Sequence, residues 1–229
     1  MKSKTTFIIT IDGTSGSGKS TISRLLAKKL NFILLDSGKL YRSAGYIFSQ
    51  SVNKADSPID YKKLISQISL KTNNDLNEYE VCFNNLVIDK YLYTDDVAKA
   101  ASVVSKIPEV RECMFNLQHS CVKGSGLIAN GRDMGSEVFI DARLKIYITA
   151  DIDIRARRRY EELINKGDIV QYQDIYNSLK KRDDSDMNRD ISPLKVPDNA
   201  HILDTSNLKP NAIVDKILNL YTITSINWI

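Results

Sequence analysis

The chain has 229 residues, of which 42% are hydrophobic and 26% charged, with a formal net charge of +4. That is enough chain and enough apolar content for a real core, and no apolar run approaches the ~20 residues that cross a bilayer. The small positive excess suits a polyanionic partner but is too weak to be a nucleic-acid-binding signature by itself. The three cysteines, Cys82, Cys113 and Cys121, have no C-x-x-C spacing, so neither a zinc site nor a disulfide framework is expected.

The first residues, Met1-Lys2-Ser3-Lys4, are basic, but Phe7 to Ile11 is too short and too β-branched for a signal-peptide core, and a cytoplasmic chain is expected. Thr6 to Ile11 reads as a buried strand ending at Asp12-Gly13. After a glycine-rich turn, Ile22, Leu25, Leu26 and Leu30 recur at helical spacing, with Lys28 and Lys29 where cations suit the helix dipole. Phe32 to Leu35 is a second strand, and Asp36-Ser37 can cap a helix whose apolar face is Leu40, Ala44, Ile47 and Phe48. This alternation is the pattern of a parallel sheet covered by helices.

From about Asp60 to Ala100 the rhythm breaks into a helix and two short strands, Glu80 to Phe83 and Leu86 to Ile88, around a plausible Asn84-Asn85 hairpin turn. We read this stretch as a small inserted lobe. Pro108 then opens a helix carrying Val110, Met114, Leu117 and Cys121, with Cys113 on the same helix. Gly126 to Asn130 and Leu144 to Ala150 are expected as core strands, and Ile152 to Asn165 and Ile175 to about Met187 as helices joined through Lys166-Gly167-Asp168. Ala200 to Leu203 is a last strand, and an amphipathic helix follows Pro210. The tail from Thr222 to Ile229 gives no pattern.

Gly13-Thr14-Ser15-Gly16-Ser17-Gly18-Lys19-Ser20 fits G-x-x-x-x-G-K-[ST] in full, with a strand before it and a helix after it. The glycines let several backbone N–H groups turn toward phosphate oxygens, and the helix start adds its positive dipole end. Lys19 can reach the β- and γ-phosphates, the Ser20 hydroxyl can ligand Mg²⁺, and Thr21 completes the run. The bland alternative, a flexible Gly/Ser loop, does not explain the flanking elements. The motif names a nucleoside triphosphate but not a reaction.

A kinase for a phosphorylated acceptor also needs cations where the migrating group sits, and arginine suits that work. The chain offers Arg42, Arg111, Arg132, Arg155, Arg157, Arg158, Arg159, Arg182 and Arg189. Arg155 and Arg159 share a helix face, although a solvated basic face partly neutralised by Glu161 and Glu162 fits that cluster equally well. Arg132 is the least ambiguous, because it follows a glycine at the end of a core strand, where open α/β sheets place ligands.

Four segments in succession resemble the signatures of bacterial cytidylate kinases. They are Asp36-Ser37-Gly38-Lys39-Leu40-Tyr41-Arg42, Gly131-Arg132-Asp133-Met134-Gly135, Arg155-Ala156-Arg157-Arg158-Arg159-Tyr160, and the run from Lys181 to Arg189. The likeness covers roughly residues 5 to 221. It implies an α/β P-loop core with a five-stranded parallel sheet flanked by helices, an inserted nucleoside-monophosphate lobe and a helical lid. The expected division is core at about 1–59, 105–151 and 191–229, lobe at about 60–104 and lid at about 152–190.

The resemblance further implies that Ser37, Arg42 and Arg132 hold the acceptor phosphate, and that Ser102, Arg111, Asp133 and Arg189 read cytosine. Arg182 and Asp186 would hold the ribose, and Arg155, Arg158 and Arg159 would act from the lid near ATP. Lys19, Arg132 and Arg158 would be the catalytic cations. Such a base offers an amino donor and carbonyl and ring-nitrogen acceptors, so a carboxylate mixed with cationic and hydroxyl donors is the chemistry required.

Some roles compete with plainer ones. Asp36-Ser37 is also a helix cap, Ser102 is also plain helix surface, and Asp183 and Asp184 read best as salt-bridge partners of Arg182 and Arg189. Two positions depart from the family pattern: Thr14 stands where proline is usual, and Asn130 where an acidic residue is usual. Activity is expected to survive both, since Asn keeps an acceptor oxygen.

The expectation is ATP-dependent phosphorylation of CMP and dCMP in pyrimidine nucleotide metabolism. ATP would be the donor and Mg²⁺ the metal, in a monomer with no nucleic-acid or membrane partner. Its rivals are a related kinase for UMP or another small acceptor, and a nucleotide-switched nucleic-acid-binding protein. The second rival is disfavoured by aspartates interleaved among the arginines.

Overall fold

A computed structural model describes residues 6–52 and 60–226. The basic Met1-Lys4 start and the last residues of the tail lie outside the described residues. Chain order begins β1 (Phe7–Gly13), α1 (Lys19–Leu30), β2 (Ile33–Asp36), α2 (Ser37–Val52) and α3 (Tyr61–Ile65). It continues β3 (Ile68–Asn73), β4 (Glu78–Phe83), β5 (Leu86–Val87), α4 (Asp95–Val104), α5 (Pro108–His119), β6 (Gly126–Asn130) and β7 (Leu144–Thr149). It closes with α6 (Ile152–Asn165), α7 (Tyr172–Met187), β8 (His201–Asp204) and α8 (Pro210–Ile226).

Among the described residues the sheet has eight strands in the order β3-β4-β2-β6-β1-β7-β8, with β5 on β4. The run β2-β6-β1-β7-β8 is the expected five-stranded parallel core, with β1 central. Alternation along the strands divides the core in two. Phe7, Ile9, Ile11, Leu34 and Ile128 face α1 and α8, where Ile22, Leu26, Ile213 and Ile217 are buried. Leu35, Leu127 and Ala129 face the other layer, with Leu40, Ala44 and Ile47 of α2 and Val110 and Met114 of α5. Tyr221 meets Phe7 edge-on with ring centroids 5.0 Å apart, docking the C-terminal helix on this core.

The region after Asp60 departs most from expectation. β3 is an additional strand, antiparallel to β4, and the hairpin does not stand apart from the sheet: Leu34 of β2 pairs with Glu78 of β4. Lys39, only 4% exposed, fixes that edge by donating to Glu78, to the Tyr79 carbonyl and to Asp89. The Asn84-Asn85 turn has φ of 49° and 65°, the two left-handed residues that a tight hairpin matching strand twist requires. Helix α4 packs on α2 across Gly45, where a Cβ would come within 2.4 Å of the Ala101 amide nitrogen.

Smaller differences also have local causes. Cys121 lies two residues beyond α5, past Ser120 as C-cap, while Cys113 is within it. Helix α7 starts at Tyr172, a turn before the expected Ile175. Helix α8 continues through most of the patternless tail to Ile226.

Every carboxyl end of the parallel core opens on one side, and there the chain places the glycine loop, Asp36-Ser37, Asn130-Gly131-Arg132, Ala150-Asp151 and Thr205. Among the described residues no helix is long and apolar enough to cross a membrane.

Candidate active site

The glycine loop runs from the end of β1 into α1. Gly13, Gly16 and Gly18 all have positive φ (143°, 75° and 89°), and a Cβ on Gly13 would come within 1.8 Å of the Ile148 carbonyl oxygen. Only glycine lets the loop turn this close to β7. Lys19 is buried, and its Nζ donates to the Thr14 carbonyl at 2.6 Å, which also accepts from Ser17 Oγ at 2.9 Å. Burial, and then the Arg132 guanidinium, lowers its pKa well below the usual lysine range, while Asp12 and Asp186 oppose the shift. An ammonium so placed is poised to gain an anionic partner.

A cavity of roughly 420 Å³ lies along Gly16 to Ile22, with Arg155, Arg158, Arg159 and Glu162 on one side and Thr205, Leu208, Pro210 and Ile213 on the other. Its arginines are held very differently. Arg155 is buried and turned into the protein, donating to the Ala150 and Ser15 carbonyls at 2.9 Å each and to Asp183 at 2.6 Å. Arg158 grips the turn after β8 through the Thr205 carbonyl at 2.6 Å and the Ser206 carbonyl at 3.2 Å. Arg159 is exposed and pairs with Glu162 at 2.8 Å.

Asp183 is therefore the partner of Arg155 across two helices, not of its neighbour Arg182, which the helix turns away from it, nor of Arg189 beyond the end of α7. Its other oxygen accepts from the Ser15 amide at 3.4 Å, so α6 and α7 rest on the glycine loop.

On the opposite side of the loop, the Gly131-to-Gly135 segment leaves β6. Asp133 is buried, and its carboxylate pairs with the Arg111 guanidinium and stands 3.5 Å from Arg189 Nη2. Arg189 Nε donates to the Ser192 carbonyl, but its buried Nη2 makes no hydrogen bond within the protein. The Arg111 guanidinium also lies 5.6 Å from the centre of the Tyr41 ring, whose phenol burial pushes up to about 12.

Arg132 donates from Nε to Asp186 at 2.6 Å and from Nη1 to the Gly13 carbonyl at 3.0 Å. Arg182 keeps exposed surface, but its guanidinium is enclosed near those of Arg132 and Arg42. Desolvation, and then the like charges of Arg132 and Arg42, lowers its pKa. Arg42 donates to the Leu92 carbonyl at 3.2 Å. Ser37 is buried as the first residue of α2, where Asp36 Oδ1 accepts from the Lys39 amide, so Asp36 is the residue that caps the helix. Ser102 is exposed on α4; Arg111 reaches the end of that helix through the Ser105 carbonyl.

Two further residues escaped the sequence reading. Asp12, taken only as the end of a strand, is wholly buried and accepts from the Met134 amide at 2.8 Å and the Gly135 amide at 2.7 Å. Burial raises its pKa to about 6 against those two hydrogen bonds. Thr205 joins the two sides of the cavity by donating to the Ser17 carbonyl at 2.9 Å. Neither position carries a motif signal. An Asp immediately before a phosphate loop is the one hint that was available.

Among the described residues no group of three or more His, Cys, Asp or Glu is arranged to hold a metal ion. The oxygen donors near the loop do suit a hard cation that keeps most of its waters: Asn130 Nδ2 donates to Ser20 Oγ at 3.3 Å, and Asn130 Oδ1 is a buried acceptor without a partner.

The family profile described as "Cytidylate kinase" matches residues 9–223. The chain belongs to that family. It is 35% identical over 212 residues to the cytidylate kinase of Carboxydothermus hydrogenoformans, covering 93% of this chain and 96% of that protein. It is 38% identical over 219 residues to the cytidylate kinase of Caldicellulosiruptor saccharolyticus, with coverages of 93% and 94%. In fold it is similar to a crystal structure of an uncharacterized protein from Eubacterium ventriosum, with a TM-score of 0.52 at 15% identity, covering 93% of this chain and 97% of that one.

Proposed function

We propose that this cytidylate kinase family member transfers the γ-phosphoryl group of ATP to CMP and dCMP, giving ADP and CDP or dCDP. The observation that carries the acceptor assignment is the Asp133 carboxylate set between Arg111 and Arg189 beside the glycine loop. The carboxylate can accept from an exocyclic amino group, and Arg189 Nη2 is a buried donor with hydrogen-bonding capacity to spare for a ring nitrogen or carbonyl. A base without that donor and acceptor order would leave these groups unpaired.

In this reading an acceptor phosphate oxygen attacks the γ-phosphorus in line as the bond to the bridging oxygen of ADP breaks. The acceptor is already anionic, so no general base is needed. Lys19, Arg132 and Arg158 balance the charge spread over the transferring group. Ser37 and Arg42, with Arg132, hold the acceptor phosphate, while Arg182 and Asp186 face the sugar and Ser102 completes the base site. Gly13 to Thr21, with Arg155 and Arg159, hold the donor. Ser20 would hold Mg²⁺, which would supply further charge neutralisation. Residues 60–104 serve as the acceptor lobe and 152–190 as a lid that excludes water. We also read the protein as a cytoplasmic monomer without a nucleic-acid partner. The internally paired arginines support the absence of a nucleic-acid partner over an open basic stripe.

The test is turnover with ATP and competing CMP, dCMP and UMP. CMP or dCMP should dominate; turnover of UMP without either of them would refute the base assignment.

A further inference from the structure

Asp12 lies between the two substrate sites without facing either. It is the last side chain of β1 before Gly13, and both its oxygens are spent on the next segment over. Oδ1 takes the Met134 amide at 2.8 Å and Oδ2 the Gly135 amide at 2.7 Å. The same stretch of β1 holds that segment twice more: the Ile11 carbonyl accepts from the Gly131 amide at 3.0 Å, and the Gly13 carbonyl accepts from Arg132 at 3.0 Å. Asp133 sits between these anchors with φ of −138° and ψ of 22°, a backbone no regular element supplies. The segment then winds into a π-helical turn, Met134–Val138, whose first amides have no intrahelical acceptor. The fork on Asp12 satisfies two of them.

We propose that Asp12 is a positioning residue for acceptor recognition: its carboxylate fork fixes the backbone on the far side of Asp133, and so aims the Asp133 carboxylate between Arg111 and Arg189. A protein need not bury an ionisable group to cap a turn. Asn offers one acceptor and would set an N–H₂ against the second amide, whereas a carboxylate serves both. The site is also closely fitted: a Cβ on Gly135 would lie 2.7 Å from Thr10 Oγ1, 3.1 Å from Pro197 Cγ and 3.3 Å from Asp12 Oδ2. The fork places the acceptor-reading segment against the strand that leads into the phosphate loop, so both substrates are registered on one rigid element. This inference rests on the acceptor reading above.

The experiment is Asp12→Asn at about pH 8, where the native carboxylate is ionised. CMP and a non-hydrolysable ATP analogue are titrated separately by calorimetry, and KM and kcat follow. The variant should bind CMP at least about tenfold more weakly, the fold-change expected when a misaimed Asp133 loses one charge-assisted hydrogen bond to the base. The ATP analogue should stay within about twofold, and amide exchange at Met134 and Gly135 should accelerate. Unmoved CMP affinity, or equal weakening of both ligands, would overturn the proposal. Wild-type protein that fails to bind CMP would instead overturn the acceptor reading, and this inference with it. If Asp12→Asn does not fold, Gly135→Ala presses on the same fork from the other side and should give the same selective loss; retention of CMP affinity there would also overturn the proposal.

Discussion

Replacing Asp133 with asparagine removes a negative charge that two guanidiniums share. The Asp133 side chain is 4% exposed, and those of Arg111 and Arg189 are 12% and 13% exposed, so solvent does little to screen the loss. Removing one partner of a buried pair costs about 3–5 kcal/mol, and the lower end applies because Asn keeps an acceptor oxygen. For a chain of this size that lowers Tm by about 6–12 °C. Binding carries a second and separable loss. A hydrogen bond to a charged group is worth about 1.5–3 kcal/mol, so CMP affinity should fall about 10- to 150-fold. The ATP analogue should bind as before, because the charge partners of Asp133 are Arg111 and Arg189, neither of them on the glycine loop. Thermal unfolding followed by calorimetric titration of each ligand measures both. A variant with the lowered Tm and unchanged CMP affinity would refute the reasoning, since Asp133 would then be only a structural counter-ion.

Three further outcomes are expected. Burial raises the Asp12 pKa from 3.8 to about 6, so between those values the folded protein holds a proton that the unfolded chain has released. Stability from this group is therefore gained as pH falls through about 6 and lost as pH rises. The wild type should gain on the order of 1 kcal/mol relative to Asp12→Asn between pH 7 and pH 5, or about 2–4 °C in relative Tm, and a pH-independent difference would contradict it. Asn130→Ala leaves the Ser20 hydroxyl without its amide partner, and the Mg²⁺ concentration giving half-maximal nucleotide binding should rise up to about tenfold; an unchanged Mg²⁺ titration would count against Asn130 as an orienting group. Gly45→Ala drives a Cβ into the backbone of Ala101, which cannot rotate away, and should cost about 1–3 kcal/mol in a denaturant melt.

The sequence by itself determined the parallel core and the donor loop. Those features are local: a phosphate loop needs glycines and a lysine at fixed spacing, and the strands and helices around it show their periods within a few residues. The strand β3 was not legible, because Ile68 also continues the helical spacing of Tyr61, Leu64 and Ile65, and the strand gains its partner only from across the hairpin. Motifs also named the arginines, but their partners depended on the fold. Asp183 looked like a mate for Arg182 or Arg189 and pairs instead with Arg155, 28 residues earlier in the chain. Asp12 looked like the end of a strand; its role exists only because Met134 and Gly135, more than 120 residues later, turn their amides toward it. Spacing along a chain can specify a loop that folds on itself. A buried charge takes its meaning from whatever tertiary packing brings within hydrogen-bonding distance, and only the packed structure decides that.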